Sequence, residues 1–374
     1  MTIGGRTERA LKSVARGGAG TADVFRETMR QISAELPSDG WCGLTLDPTT
    51  LVATGGVHEH GLGPVAIRRL LEIEYGEDEV NLFVDLARAR SPAAALSVTL
   101  GAALDHSPRF CDVLVPSGYG DELRVVLRAG GSAWGALVLF RTTEKPAFTK
   151  DEVALVARVS EPAAEALRWS LVAESVPRLA SLTDRALLVL GPSNIVESAT
   201  PEAQHLLEDL AEEGPPDPAN VPHTIQAVAL EARRRARDAN EDGLVSRARA
   251  RTRGGQWVTL HASTLGASEQ VAVFVEPSRP LEIASLILRA YGLTKREGEI
   301  VRLVLHGLDT AQIAETLGIS RYTVQDHLKS IFDKAGVSSR KELVARIFFT
   351  HYLPRMSSRI GPDGWFADDP LPRR

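Results

Sequence analysis

The chain is poor in cysteine, with only Cys42 and Cys111 in 374 residues. Two thiols cannot build the disulfide framework of a small secreted module. Each stands among apolar neighbours, so both are expected as buried free thiols in a reducing compartment. Long apolar runs are missing as well. No stretch approaches the roughly 18 continuous apolar residues of a membrane span. The opening MTIGGRTERALKSVARGGAG has no hydrophobic centre for a signal peptide. Residues 1–20 are therefore expected as a polar, partly disordered tail, and the protein as cytoplasmic, with no membrane partner. A basic excess is absent too: 43 Lys and Arg face 48 Asp and Glu, a net charge of −5. Any contact with nucleic-acid phosphate must come from a local patch, because that attraction is felt over about one Debye length, roughly 8 Å in physiological salt.

Catalytic signatures are also lacking. There is no Gly-x-Ser-x-Gly elbow, no phosphate-cradling Gly-x4-Gly-Lys-Ser/Thr loop and no paired metal motif. His58 and His60 in HEH have strand spacing, but no third ligand accompanies them, and they are expected in a solvated loop. No catalytic residue, metal or cofactor is assigned, and the chain is read as a non-enzyme.

What is present is ordinary globular material. Hydrophobic residues at 44% and charged residues at 24% are enough to bury a core in each of two or three domains. From 21 to 172 the pattern runs helix, two strands, helices, a hairpin ELRVVLRAGG/AWGALVLFRT turning at GGS, and one long closing helix. That helix starts at the cap Thr149, has Glu152 at the capping-box position and contains Pro162 as a potential kink. The hairpin GSAWGALVLFR followed by FTKDEVALVARVSEPAAEAL resembles the last strands and closing helix of a GAF sensory domain. The resemblance implies a domain that binds a small molecule or uses its outer helices to dimerise. From 183 to 277 the order is strand, turn, strand, helices, then the hairpin around RTRGGQWVTLHAS and a last strand. This order resembles a PAS domain. The run Arg233–Arg235 is expected on a solvated helix face.

The third block, 279–350, opens with the apolar helix PLEIASLILRAYG. Four short helices follow. Thr294 and Glu297 make a capping box for the first, and Gly307 suits its end. The second, TAQIAETLG, stops at Gly318. Ser320 can cap the third, which runs to Gly336, and Ser339 with Glu342 can cap the fourth. A short helix, a tight Gly turn and a longer helix form the helix-turn-helix signature. In the third helix Val324, Leu328, Ile331, Phe332 and Ala335 fall on one apolar stripe. Between them stand Arg321, Tyr322, Thr323, Gln325, Asp326, His327 and Lys329. Arg321, Gln325 and Lys329, spaced by four, share one edge. Asp326 can accept from cytosine N4 or pair with Lys329.

The segment LTKREGEIVRLVLHGLDTAQIAETLGISRYTVQDHLKSIFDKAGVSSRKELVARIF resembles the LuxR-type DNA-binding domain of bacterial transcriptional regulators. The resemblance implies base contacts from Gln325, Asp326 and Lys329, and phosphate contacts near Arg321, Thr323, His327 and Lys334. Gln325 stands where that family most often has Lys, so a target sequence cannot be borrowed. From Tyr291 to Thr350 nine Lys/Arg stand against seven Asp/Glu, so this block is near +2 in an acidic chain.

The expected fold class is multidomain α+β: two antiparallel-sheet sensory domains, then an all-α helix-turn-helix domain and a tail at 351–374. The expected function is a sequence-specific DNA-binding regulator that responds to a small-molecule effector. Its expected partners are double-stranded DNA and a second copy of itself, with RNA polymerase a further candidate. Phe348 and Phe349 of the fourth helix, with Tyr352 and Leu353 after it, are candidates for a dimer seam or for docking on the sensory blocks. The alternative is a scaffold whose two sensory blocks bind proteins, with DNA contact secondary. A closed apolar cavity favours the sensor, and a filled core favours the scaffold.

Overall fold

The computed structural model describes residues 9–14, 19–59, 61–173, 185–210, 221–237, 245–253, 255–266, 269–278 and 289–351, with short pieces at 359–360 and 366–367. The GGS turn forms as expected. Gly130 and Gly131 have φ of 59° and 74°, the left-handed values that a tight hairpin requires. They join β4 (Tyr119–Ala129) to β5 (Ser132–Thr142). With β1 (Gly40–Leu46), β2 (Ala53–Glu59) and β3 (Ala93–Ala95) they make an antiparallel sheet of order β2-β1-β5-β4-β3. The residues of β4 and β5 are buried almost throughout, because helices cover both faces. One face packs on α1 (Thr21–Ser33) through Phe25, Met29 and Ile32. At Gly43 a Cβ would come within 2.5 Å of the Phe25 ring, so a glycine lets α1 sit this close.

The opposite face meets α2 (Pro64–Gly76) and α3 (Phe83–Arg88), with α4 (Leu96–Leu100) and a π-helical turn at Arg109–Leu114 nearby. Buried apolar side chains surround a charged tetrad in this layer. Arg109 donates to Glu122 Oε1 at 2.5 Å, and Arg124 donates to Glu74 Oε2 at 2.6 Å. Arg124 Nε lies 3.0 Å from Glu122 Oε1, and Glu74 also accepts from the Phe83 amide at 2.7 Å. Burial pushes the Glu122 carboxyl up, but Arg124 and Arg109 outweigh it and hold the group below its ordinary value. Among the described residues, Glu122 Oε2, Arg109 Nε and Arg124 Nη2 are buried without a hydrogen-bond partner.

Two expectations, for the closing helix and for the thiols of this domain, are corrected. The closing helix is divided into α5 (Lys150–Ala157) and α6 (Ser160–Ala173). The break precedes Pro162, which sits in the first turn of α6, where a missing N–H costs nothing. Cys42 is buried, but Cys111 is exposed on the π-helical turn, its sulfur 3.1 Å from the Asp105 carbonyl. The capping box at Thr149 does form: Glu152 accepts from the Thr149 amide at 2.7 Å, and Thr149 Oγ1 accepts from the Glu152 amide at 3.3 Å.

A second sheet contains β6 (Ala186–Leu190), β7 (Val196–Ala199), β8 (Ser246–Arg251), β9 (Trp257–Thr264) and β10 (Val271–Pro277). Its order, β7-β6-β10-β9-β8, repeats the topology of the first. Here α7 (Pro201–Asp209) and α8 (His223–Arg237) pack on the sheet through Leu206, Ile225 and Val228. Arg233 is not on a solvated face. Its guanidinium is buried, donating to Asn194 Oδ1 at 2.5 Å, the Gly191 carbonyl at 2.7 Å and the Glu269 carbonyl at 2.8 Å. It ties α8 to the β6–β7 turn. HEH is not a loop either: His58 and Glu59 belong to β2, and the His58 ring meets the ring of His223 edge-on at 5.3 Å. That contact joins the two sheet domains. His60 lies outside the described residues.

Four further helices are α9 (Lys295–Leu305), α10 (Thr310–Leu317), α11 (Arg321–Ala335) and α12 (Arg340–His351). Of the joining helix expected before them, residues 279–288 lie outside the described residues, as do Tyr352, Leu353 and the side chains of Phe348 and Phe349. Among the described residues, no helix is long and apolar enough to cross a membrane.

Candidate nucleic-acid interface

Local chemistry sets each end of these helices. Thr294 caps α9: its Oγ1 accepts from the Glu297 amide at 3.3 Å, while Glu297 accepts from the Thr294 amide at 2.7 Å. Asp309 caps α10, accepting from the amides of Ala311 and Gln312 at 2.8 and 2.9 Å. This cap was legible as Asp-x-x-Gln before an apolar run but was missed. Gly318 then turns the chain with φ of 64°, and Ser320 Oγ accepts from the Thr323 amide at 3.0 Å to open α11. Gly336, φ 63°, closes it.

The apolar stripe of α11 faces inward as the spacing predicts. Val324, Leu328, Ile331 and Ala335 are buried against Ile300, Val301, Val304 and Ile313, with Phe332 half-buried beside them. The opposite face is open. Arg321, Tyr322, Thr323, Gln325, Asp326 and Lys329 are all exposed, and His327 is half-buried. Tyr322 is 81% exposed, the largest exposure among the exposed large apolar side chains described. No ion pair joins Asp326 to Lys329 among the described residues, so the i,i+3 pair is not what occupies this carboxylate. The Thr323 hydroxyl lies 2.9 Å from Ser320 Oγ and belongs to the cap as well as to the surface.

Lys334 stands apart from this set. Its ammonium binds both oxygens of Glu297 at 2.8 and 2.6 Å, and Ser330 donates to the same carboxylate at 2.6 Å. Glu297 is 3% exposed. Burial pushes its carboxyl up, but Lys334, Ser330 and the Thr294 cap overcome this and bring the pKa down to about 2. In this structure the lysine pins α11 to the start of α9.

The open face thus presents a guanidinium, a phenol, a carboxamide, a carboxylate and an ammonium along the N-terminal two-thirds of one helix. Residues 292–347 match the model of the family "Bacterial regulatory proteins, luxR family". The last helices form a luxR-family domain. Residues 21–167 match the GAF domain model, which covers the first sheet and its helices. A protein of Aeromonas salmonicida, named as an HTH-type transcriptional regulator in the exeN 3′ region, is 43% identical over 61 residues, 16% of this chain and 31% of that protein. SgaR of Hyphomicrobium methylovorum, named as a transcriptional regulatory protein, is 49% identical over 53 residues, 14% of this chain and 25% of that one. The chain therefore spans a third or less of these relatives. The crystal structure of Escherichia coli SdiA is similar at a TM-score of 0.32 and 12% identity, covering 93% of this chain and 97% of that one. The Vibrio cholera VqmA-ligand-DNA complex aligns at a TM-score of 0.21 and 19% identity over 46% of this chain and 84% of that one. Neither value is high enough to place any element of this chain.

Proposed function

We propose that this chain is a sequence-specific DNA-binding transcriptional regulator that reads duplex DNA with α11 and acts as a two-fold dimer. The observation that carries this reading is the open polar face of α11, held by a buried stripe and a Ser320 cap inside a luxR-family domain. A major groove about 12 Å wide admits one helix, N-terminus first. Gln325 can pair with adenine, Lys329 with guanine, and Asp326 can accept from cytosine N4. Arg321 and the first-turn amides suit phosphate. Selection of binding sites from a random duplex pool, followed by titration of Gln325→Ala and Lys329→Ala, tests this. Each loss should cost about 1–3 kcal/mol on the selected site.

The small-molecule part of the reading is supported by the tetrad Glu74, Arg109, Glu122 and Arg124, whose unpartnered nitrogens and oxygen are groups that a small polar effector would satisfy. The second block, PAS-like in its sheet order, is a further candidate sensor. One observation favours the scaffold reading: the inner layer of the first domain is lined by buried apolar side chains. A depression of about 490 Å³, by contrast, is open and lies outside, along Asp23, Arg26, Glu27 and Arg30. Mass spectrometry of small molecules retained by the purified chain separates the two readings. A polar molecule that is retained by wild type and lost in Arg124→Met supports the sensor. Retention of none supports a protein effector.

A further inference from the structure

The turn that follows β1, Asp47 to Thr50, touches both of the other domains. Asp47 is 3% exposed and Arg249 of β8 is 8% exposed. Arg249 donates to Asp47 from Nε at 2.9 Å, from Nη2 at 2.8 Å and from its own amide at 3.0 Å. Arg249 Nη2 also reaches Thr49 Oγ1 at 2.8 Å. A two-pronged guanidinium–carboxylate contact with a backbone bond in addition fixes direction as well as distance. Burial pushes the Asp47 carboxyl up, yet Arg249 and the Thr49 amide hold it below its ordinary value. The turn is itself rigid: Leu51 donates to the Asp47 carbonyl at 2.8 Å, and the Asp47 amide donates to the Val52 carbonyl at 2.9 Å.

Between Asp47 and Thr49 stands Pro48, whose carbonyl accepts from Arg289 Nη1 at 3.4 Å. Arg289 belongs to the helical turn that leads into the DNA reader, and its carbonyl accepts from the Gly292 amide at 2.8 Å. The same approach segment rests on the first domain a second time. Tyr291 is buried edge-on against Trp169 at 6.2 Å. At Gly292, φ 70°, a Cβ would lie 2.9 Å from Arg168 Nη1. Three consecutive residues of the first domain, Asp47, Pro48 and Thr49, thus hold the edge strand of the second sheet and the approach to the reader at once.

We infer that this turn is the coupling element of the molecule: it clamps the second domain and the reader approach to the end of β1, so a shift of β1 moves both together. β1 also lines the layer of the charged tetrad through Cys42 and Leu44, which makes the turn its outlet toward the reader. The regulatory meaning rests on the DNA-regulator reading. The mechanical link does not, and it can be measured without DNA.

Hydrogen exchange of the full chain, in wild type, Asp47→Asn, Arg289→Gln and the double variant, tests the link. Asp47→Asn should speed exchange at least about tenfold in 246–251 and also in 289–293, with β4 and α11 unchanged. In the Arg289→Gln background, its effect on 289–293 should vanish. Thr49→Val removes one bond only and should give the same pattern at smaller size, which serves if Asp47→Asn folds poorly. Faster exchange confined to 246–251 would overturn the coupling and leave a two-domain clasp. An even rise across β4 and α11, in Asp47→Asn and Thr49→Val alike, would overturn it as well, since it would reflect lost stability rather than a directed link.

Discussion

Glu297 shows how one side chain can answer three demands. It completes the α9 cap, receives Ser330 and neutralises Lys334, all with its carboxylate buried. Lys334 is about a third exposed and can be solvated once its partner is gone, so Glu297→Gln should cost the last domain about 1–2 kcal/mol. Faster exchange of α11 amides in the full chain would register this. The pH dependence has a definite sign. The folded pKa near 2 lies below the ordinary 4.5, so the stabilisation is fully present above about pH 4.5 and is lost as the pH falls toward 2. In Glu297→Gln that part of the acid sensitivity should disappear. Half of this residue was legible in the sequence. The capping box is a pattern within four consecutive residues, but the partnership with Lys334 spans 37 positions and follows from how two helices cross. The same limit explains why Arg233 was expected in solvent. A cation on a helix reads as surface until a buried acceptor is seen opposite it.

At the scale of elements, the ends of helices were more legible than their surroundings. Thr149, Thr294, Ser320, Gly318 and Gly336 all act where the local pattern placed them, because a cap concerns only the next three or four residues. Gly318 and Gly336 hold φ of 64° and 63°, a region that an L side chain enters at about 1–2 kcal/mol. Gly318→Ala should therefore destabilise the turn by about that amount and lower DNA affinity by tilting α11, while Gly307→Ala, also at positive φ but away from the turn, should lower stability with less effect on affinity. Thermal melting and duplex titration of the two variants separate these effects. The division of α5 from α6 was less legible: Pro162 suggested a kink, but the chain breaks earlier and uses the proline as a first-turn residue. Both sheets were foreseen from alternation and Gly-Gly turns. Their shared strand order was not, because order depends on which strands pair across long connections.

Over the whole molecule, sequence reasoning separated three blocks but did not reveal how they touch. Asp47 and Arg249 lie 202 positions apart, and nothing in either neighbourhood marks them as partners. The contacts of Tyr291 with Trp169 and of His58 with His223 are likewise products of assembly. Charge is distributed to match the proposed role. The last block is near +2 within a chain of −5, too little for tight binding by one copy, so affinity should depend on pairing of two chains and fall steeply with salt. Lys329→Ala should weaken binding to the selected site far more than Lys334→Gln, whose main effect should be on stability. The most direct measurement is a titration of wild type, Gln325→Ala and Lys329→Ala on a duplex site selected by the wild-type protein, with folding checked by melting. A loss of about 1–3 kcal/mol is expected for each variant at unchanged melting temperature. Equal binding by all three on that site would contradict the assignment of α11 as the element that reads DNA.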